Sequence, residues 1–491
     1  MPDSAHQPSP AGKGGSERTA VSSAEVLARL RAYRSHDAPT HGGSVLSYVY
    51  DSGLAELDDL AADAAALALP VNGLDPTTFP SVALLEGDLV SFGRTVLRGP
   101  SAVGSVTSGG TESCLLAVKA ARDLWWARHP EASERPRLVL PSTAHAAFHK
   151  AAHYLGLELD VVPVAPQSGK PDAAAMTTEL ADSTALVVVS APSYPHGALD
   201  PVAEVARAAA DRGIPCHVDA CIGGLVLPFW SEAGGVEPEP WDFQVPGVSS
   251  ISVDLHKFGY APKGASLLLF ADRELDRARY FALTDWPGYP VVNPTVLGSR
   301  SATSLAAAWA VMTALGVEGY TELTARVVTA TLAVRDAVDG CEGLRVLGEP
   351  AGPLLAVVTD DSVAAECRVD PHLWAAAVAT HGFVLQGQPG LRQSDGSLLP
   401  RSTHLTITPA TLGVVEPLTA ALRAAADEVR GRVPEPPQGA GLPDPTALAL
   451  AARKSGELDL TSVLAMVEHL PRPLTARMLV DFLATFTQPR D

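Results

Sequence analysis

Two hydrophobic periods organise this chain. At its start the apolar positions recur at helical spacing, which predicts helices over residues 23–33, 54–69 and 82–97, the first opening on a serine. The stretches between them, SHDAPTHGGSVLSYVYDSG and PVNGLDPTTFPS, carry no period, and Pro70, Pro76 and Pro80 mark irregular backbone. A further helix is expected to open at Gly109-Gly110-Thr111-Glu112-Ser113 and to run through Trp126. From Arg137 onward short apolar runs alternate with helical ones. LVLPS, residues 185–190 and residues 214–220 read as strands, with AHAAFHKAAHYLG and residues 202–212 as helices. VSSISVD and ASLLLFA read as two more strands flanking the turn DLHKFGYAPKG.

Alternation of this kind predicts an α/β fold, a mostly parallel sheet with helices on both faces. In such sheets ligands sit beyond the carboxyl ends of the strands. Asp219 and Lys257 fall there, and His145 follows the end of another strand. A loop ending in Gly298-Ser299-Arg300 precedes a helix over residues 304–315 that leads into a second lobe. That lobe is expected to hold a helix over residues 322–338, strands near Arg345 and Leu354, a helix near His372 and a strand over residues 404–408. The expected segments are a disordered tail (1–22), an N-terminal helical and loop segment (23–80), a large domain (81–310), a smaller C-terminal α/β domain (311–432), a proline- and glycine-rich linker (433–445) and a helical extension (446–491) that packs back on the body. No internal repeat is visible.

Composition narrows the function classes. With 491 residues, 46% hydrophobic and 19% charged, the chain is expected to be a soluble protein of two large lobes. A net charge of −19 argues against nucleic acid and against an anionic membrane as partner. No apolar run is long enough for a membrane anchor, and the first 20 residues lack the apolar core of a signal peptide. The five cysteines, Cys114, Cys216, Cys221, Cys341 and Cys367, are scattered and show no metal-ligand spacing, which fits reduced thiols in a cytoplasm. His145, His149 and His153 share a helix face, but no carboxylate joins them at ligand spacing, so no metal is expected.

Lys257 is the centre of the candidate chemistry. It stands at a strand-to-turn junction with no helix face to carry it into solvent. Most lysines are solvated surface charges; a buried one loses hydration, its pKa falls, and the neutral amine becomes a nucleophile toward aldehydes. Pyridoxal phosphate is the aldehyde that uses such lysines most widely. It also needs an acid for its pyridine nitrogen, a flat partner for its ring and a cradle for its phosphate. Asp219, His145 and the helix start at Gly110-Thr111 supply these types, the last because a helix N-terminus offers unpaired N–H groups and a positive dipole end.

The motifs TSGGTES, STAHAAFHKAAHYLG, APSYPHGALDP, HVDACIGGLVLPF, SVDLHKFGYAPKGAS and VLGSR together resemble the sphingosine-1-phosphate lyase branch of the group II pyridoxal-phosphate-dependent decarboxylases, from about Tyr50 to Thr408. The resemblance implies the aspartate-aminotransferase-like (type I) fold, pyridoxal 5'-phosphate as cofactor, and a homodimer with active sites at the subunit boundary. It implies Lys257 as the Schiff-base lysine with His256 beside it, His145 as the stacking residue and Asp219 as the pyridinium partner. It implies Gly110 and Thr111 as phosphate ligands, and His196 and Ser299 as lining the same pocket. Residues matching Tyr50, Tyr260 and Lys263 lie near the substrate phosphate and the proton-transfer region in the lyases. One departure stands out: where the lyases carry a histidine in N-P-L-H-P-D, this chain reads Asn72-Gly73-Leu74-Asp75-Pro76-Thr77. A carboxylate facing a phosphate repels it, so Asp75 is expected to select a neutral or cationic head group; the alternative is that Asp75 caps the turn before Pro76.

The expected activity is cleavage of a bond at Cα of a small amine substrate. Loss of the Cα–Cβ bond of an amino alcohol gives an aldehyde, and loss of the carboxylate of an L-amino acid gives carbon dioxide. Intact Lys257 and Asp219 argue against a homologue that has lost activity.

Overall fold

The structure is a computed structural model that describes residues 21–433, 444–447, 449–450 and 470–489. The expected tail over residues 1–20, most of the linker and much of the C-terminal extension lie outside the described residues. Contacts divide the chain into Met1–Pro39 and Thr40–Asp491. In the first unit, α1 (Ser23–Arg34) begins with a capping box: Ser22 Oγ accepts from Glu25 N, and the Glu25 carboxylate accepts from Ser22 N.

In the second unit α2 (Ala55–Ala68) and α3 (Pro80–Val96) precede β1 (Val103–Thr107), α4 (Gly110–Arg128), β2 (Arg137–Pro141) and α5 (Ala146–Leu155). There follow β3 (Glu158–Val162), α6 (Ala173–Thr178), β4 (Thr184–Ser190), α7 (Val202–Ala210), β5 (Cys216–Asp219), β6 (Val248–Val253) and β7 (Ser266–Phe270). The seven strands form one sheet in the order β1-β7-β6-β5-β4-β2-β3. Neighbours from β6 through β3 run parallel, while β7 is antiparallel to both β6 and β1. Every residue of β4 is buried, as an unbroken apolar run covered on both faces requires. β1, β3 and α6 carry too short or too mixed a pattern to be read from the sequence.

The register sets the site. Ser190 of β4 pairs with Asp219 of β5, and Asp219 pairs with Ser252 of β6. The carboxyl ends of β1, β2, β4, β5 and β6 therefore open on one edge of the sheet, the position where open α/β sheets hold ligands.

Beyond β7, α8 (Arg273–Ala278) leads to a hairpin of β8 (Phe281–Leu283) and β9 (Val291–Asn293). The two helices expected over residues 304–315 and 322–338 meet at a kink at Gly316, whose φ of 54° breaks the helical path; the whole span is α9 (Thr303–Asp339). β10 (Leu344–Val346), β11 (Leu354–Thr359), α10 (Pro371–Thr380), β12 (Gln386–Gln388), the pair β13 (Leu391–Arg392) and β14 (Leu398–Leu399), and β15 (Ser402–Thr406) follow. β10, β11, β15 and β12 form a second, antiparallel sheet, packed against α10 and α11 (Val415–Val429). α12 (Arg472–Phe486) is described from the extension; of the other helix expected there only residues 445–447 and 449–450 are described, and these are helical. No helix among the described residues is long and apolar enough to cross a membrane.

Candidate active site

At the carboxyl edge of the large sheet lies a cavity of about 380 Å³, lined among others by Gly109, Gly110 and Thr111 from the start of α4, His145 before α5, Pro192 and Tyr194 after β4, Asp219 and Cys221 at the end of β5, and Asp254, His256 and Lys257 after β6. Of the residues singled out from sequence, Lys257, Asp219, His145, Gly110, Thr111 and His256 meet here.

Lys257 is fixed by its turn. Its N–H bonds to Asp254 O at 3.2 Å, its carbonyl accepts from Tyr260 N at 2.9 Å, and Ala261 N closes back on Leu255 O at 3.0 Å. The adjacent Phe258 ring is fully buried and anchors the turn in the core. Lys257 Nζ lies 3.0 Å from Asp254 Oδ2. The electrostatics therefore differ from the expectation of a neutral amine. Burial pulls the Lys257 pKa down, but Asp254, then Cys221, Tyr50 and Asp219, outweigh it and carry the amine above its ordinary value. Asp254, which sequence reasoning did not single out, is 3% exposed; burial pushes its carboxyl up, but Lys257 and His256 outweigh that and lower it. Its one sequence signal was an acid three residues before the lysine on a tight turn.

Asp219 Oδ1 accepts from Cys221 N at 3.1 Å and from Ser252 Oγ at 3.4 Å, so the strand register aims the carboxylate into the cavity. His145 is the N-cap of α5, its Nδ1 accepting from Ala147 N at 3.2 Å; it faces the cavity instead of joining His149 and His153 as a ligand row. Among the described residues the donors compact enough for a metal are Cys114, Asp219 and Cys221, within 4.8 Å of one another. Both thiols are raised: in Cys114 burial and the nearby carboxylates overcome a lowering hydrogen bond from Cys221, and in Cys221 that bond and burial act together.

Gly109 caps α4 with no side chain across its mouth, while Glu112 reaches back to accept from Ser108 N at 2.6 Å. Gly110 must be glycine: a Cβ there would stand 2.7 Å from Asp254 Oδ1 and 2.8 Å from Cys221 Sγ. The helix start is thereby drawn against the lysine turn, leaving its N–H groups beside the cavity.

The other predicted residues are elsewhere. Tyr50 is partly buried, edge-on to Phe258 at 5.4 Å, with its phenol pushed up to about 12 by burial, and it feels the charge of Lys257. Lys263 Nζ sits 4.8 Å over the Tyr50 ring and donates to His256 O at 3.0 Å. Tyr260 points into the core, stacked on Tyr320, and its hydroxyl has no hydrogen-bond partner among the described residues. His196 is buried next to Gly169, its pKa lowered to about 4 by burial, and does not line the cavity. Ser299 is exposed and pairs with Asn72, whose Oδ1 also accepts from Leu74 N and Arg300 N. Asp75 caps its own turn: Oδ1 accepts from Thr77 N and Oγ1 and Oδ2 from Thr78 Oγ1, which hold its pKa down to about 2. These bonds fit the turn-capping alternative, and Asp75 does not line the cavity. Tyr194, not singled out from sequence, lines the cavity and donates to Gln386 Oε1 at 2.7 Å, tying the site to the smaller sheet.

A lysine amine, a carboxylate held by strand register, a histidine at the mouth and an uncapped helix start around one cavity suit a planar aldehyde bearing a phosphate. The chain belongs to the pyridoxal-dependent decarboxylase family, whose conserved domain matches residues 40–355. Its cofactor is pyridoxal 5'-phosphate. The chain is 38% identical over 343 residues to sphingosine-1-phosphate lyase 1 of Rattus norvegicus, covering 70% of this chain and 59% of that protein. It thus spans about three-fifths of the length of this curated relative. The solved sphingosine-1-phosphate lyase of Burkholderia pseudomallei matches with a TM-score of 0.77 and 31% identity, over 85% of this chain and 93% of that one. Glutamate decarboxylase of Lactobacillus brevis shares the fold, with a TM-score of 0.73 and 18% identity over 87% and 97% of the two chains.

Proposed function

We propose that this chain is a pyridoxal-phosphate-dependent lyase resembling sphingosine-1-phosphate lyase, which breaks the Cα–Cβ bond of a small amino alcohol. The carrying observation is the convergence of Lys257, Asp219, His145 and the α4 start around one cavity. The cofactor supplies an electrophilic aldehyde and a ring that takes up the electron pair of the bond broken at Cα. Lys257 is the amine that anchors the aldehyde. Asp219 keeps a proton on the ring nitrogen, His145 covers a ring face, and the Gly110 and Thr111 N–H groups with His256 hold the phosphate. The Tyr50 phenol, neutral up to about pH 12, is a proton donor beside Lys257. Lys263, over the Tyr50 ring, is the cation for an anionic head group. With Asp75 occupied in its own turn, a phosphorylated amino alcohol is an acceptable substrate.

The active form is a homodimer with shared sites. Asn72 and Ser299 pair with each other outside the cavity, and the β8–β9 hairpin exposes Phe281, Trp286, Tyr289 and Val292, an apolar surface suited to a second copy. Its compartment is the cytoplasm, in keeping with five free cysteines. The family's decarboxylase description favours a second reading, loss of the carboxylate of an L-amino acid. Product analysis separates the two: an aldehyde trapped by hydrazine from a phosphorylated amino alcohol supports the first, and carbon dioxide from an amino acid without such an aldehyde overturns it.

A further inference from the structure

Among the described residues Asp254 is the one carboxylate paired with the Lys257 amine, and it is held from several sides. Its Oδ2 lies 3.0 Å from Lys257 Nζ and 3.6 Å from His256 Nε2, its Oδ1 accepts from Ser266 Oγ, and its N–H bonds to Cys221 O at 3.3 Å. Three pieces of chain therefore meet at this side chain, the lysine turn, β7 and the start of α4, where a Cβ at Gly110 would collide with it, and its backbone is tied to the end of β5. A carboxylate so fixed does not follow the lysine when it moves; the lysine must leave it.

We propose that Asp254 is the positioning residue that governs loading of the site, holding Lys257 charged and aimed across the cavity until the amine gives up a proton and leaves the ion pair for the cofactor aldehyde. This rests on reading Lys257 as the anchoring amine. The covalent step balances without a further reagent. The ammonium proton would pass to solvent, the Nζ lone pair would attack the aldehyde carbon, and as C=N replaces C=O the two remaining Nζ hydrogens would leave with the carbonyl oxygen as water. Asp254 then takes back the ammonium whenever a substrate amine displaces Lys257.

The groups facing Lys257 divide by sign. Asp254 and Asp219, the Cys221 thiol and the Tyr50 phenol all favour its charged form, whereas burial, His256 and Lys263 oppose it. Asp254 is the largest of the favourable influences. Without its charge the amine loses the largest influence that raises it and titrates lower.

The test is uptake of pyridoxal 5'-phosphate by full-length protein freed of cofactor, followed by visible absorbance across pH and closed by borohydride reduction and peptide mapping. In the native protein the uptake rate is expected to rise about tenfold per pH unit through the neutral range with no plateau, because only the rare neutral amine reacts. Asp254→Asn keeps the shape and the acceptor for Ser266 but removes the charge. It is expected to speed uptake near neutral pH by about tenfold or more and to bring in a plateau at lower pH. A native profile already flat at neutral pH overturns the inference, and this measurement stands even if the variant does not fold. So does an Asp254→Asn profile that coincides with the native one. If mapping places the label away from Lys257, the proposed function fails with it; label on Lys257 with an unmoved profile sinks the role of Asp254 alone.

Discussion

Substituting Gly110 by alanine tests how the cofactor site is built. The added methyl would meet Asp254 Oδ1 at 2.7 Å, Cys221 Sγ at 2.8 Å and Asp254 Oδ2 at 2.9 Å, all closer than a methyl tolerates. Relief needs a shift of about half an ångström or more by the α4 start or by Asp254. Asp254 is tied to Ser266, Lys257 and the Cys221 carbonyl, so it does not yield freely. Overpacking of this kind costs about 1–3 kcal/mol. In the proposed site, loading draws on the Gly110 and Thr111 N–H groups and on Lys257 in their present places, so a helix start tilted away by the methyl takes up the strain again on binding. Gly110→Ala is therefore expected to weaken cofactor affinity by about tenfold to a hundredfold. The assay is an absorbance titration of the cofactor-free protein, with a melting curve alongside. Unchanged affinity would refute the claim that the approach of α4 to the lysine turn shapes the site.

Asp219→Asn is expected to lower turnover by orders of magnitude with the cofactor retained, since a neutral amide does not hold the ring proton; cofactor content and turnover measured on one sample check this, and full activity contradicts it. Asp75→His is expected to lower the melting temperature without changing the preference between phosphorylated and unphosphorylated substrates, because it removes the hydrogen bonds to Thr77 and Thr78; competition kinetics showing a moved preference would restore the charge-selection idea. Burial lowers His196 and His217 from 6.5 to about 4, so the unfolded chain binds more protons there and stability falls as pH drops from 6.5 through 4, each histidine costing about 1.4 kcal/mol for every pH unit crossed. Burial raises Asp200 from 3.8 to about 7, so its contribution has the opposite sign and is lost as pH rises from 3.8 through 7; denaturant melts of Asp200→Asn across pH are expected to lack that loss, and a curve parallel to the native one contradicts this.

The sheet's central strands were legible because they are short, apolar and β-branched, and the carboxyl-edge positions of Asp219 and Lys257 followed from their place at strand ends. β3 was not, because its half-polar ELDVV carries no continuous run. Gly316 separated two helical patterns that meet at a kink within α9. Residue types and order pointed to the lysine, the aspartate and the helix start that the fold brings around one cavity. The protonation of Lys257 was not legible, since burial alone predicts the wrong sign and the Asp254 contact that reverses it depends on the path of the turn. Tyr260 and His196 sit in matching motifs, yet φ of 58° at Tyr260 and the close packing of Gly169 on His196 turn both side chains into packed interior. The Asp75 turn was readable in outline, an acid before proline and two threonines, but not which partner would claim the carboxylate.

The central claim is that Lys257 is the amine that carries the cofactor. Reduction of the loaded protein with borohydride, digestion and mass mapping test it most directly. The account predicts loss of the visible band and a pyridoxyl group on the peptide containing Lys257, with none in a Lys257→Ala variant. A pyridoxyl group on Lys263, or on no lysine of the DLHKFGYAPKG turn, would contradict it.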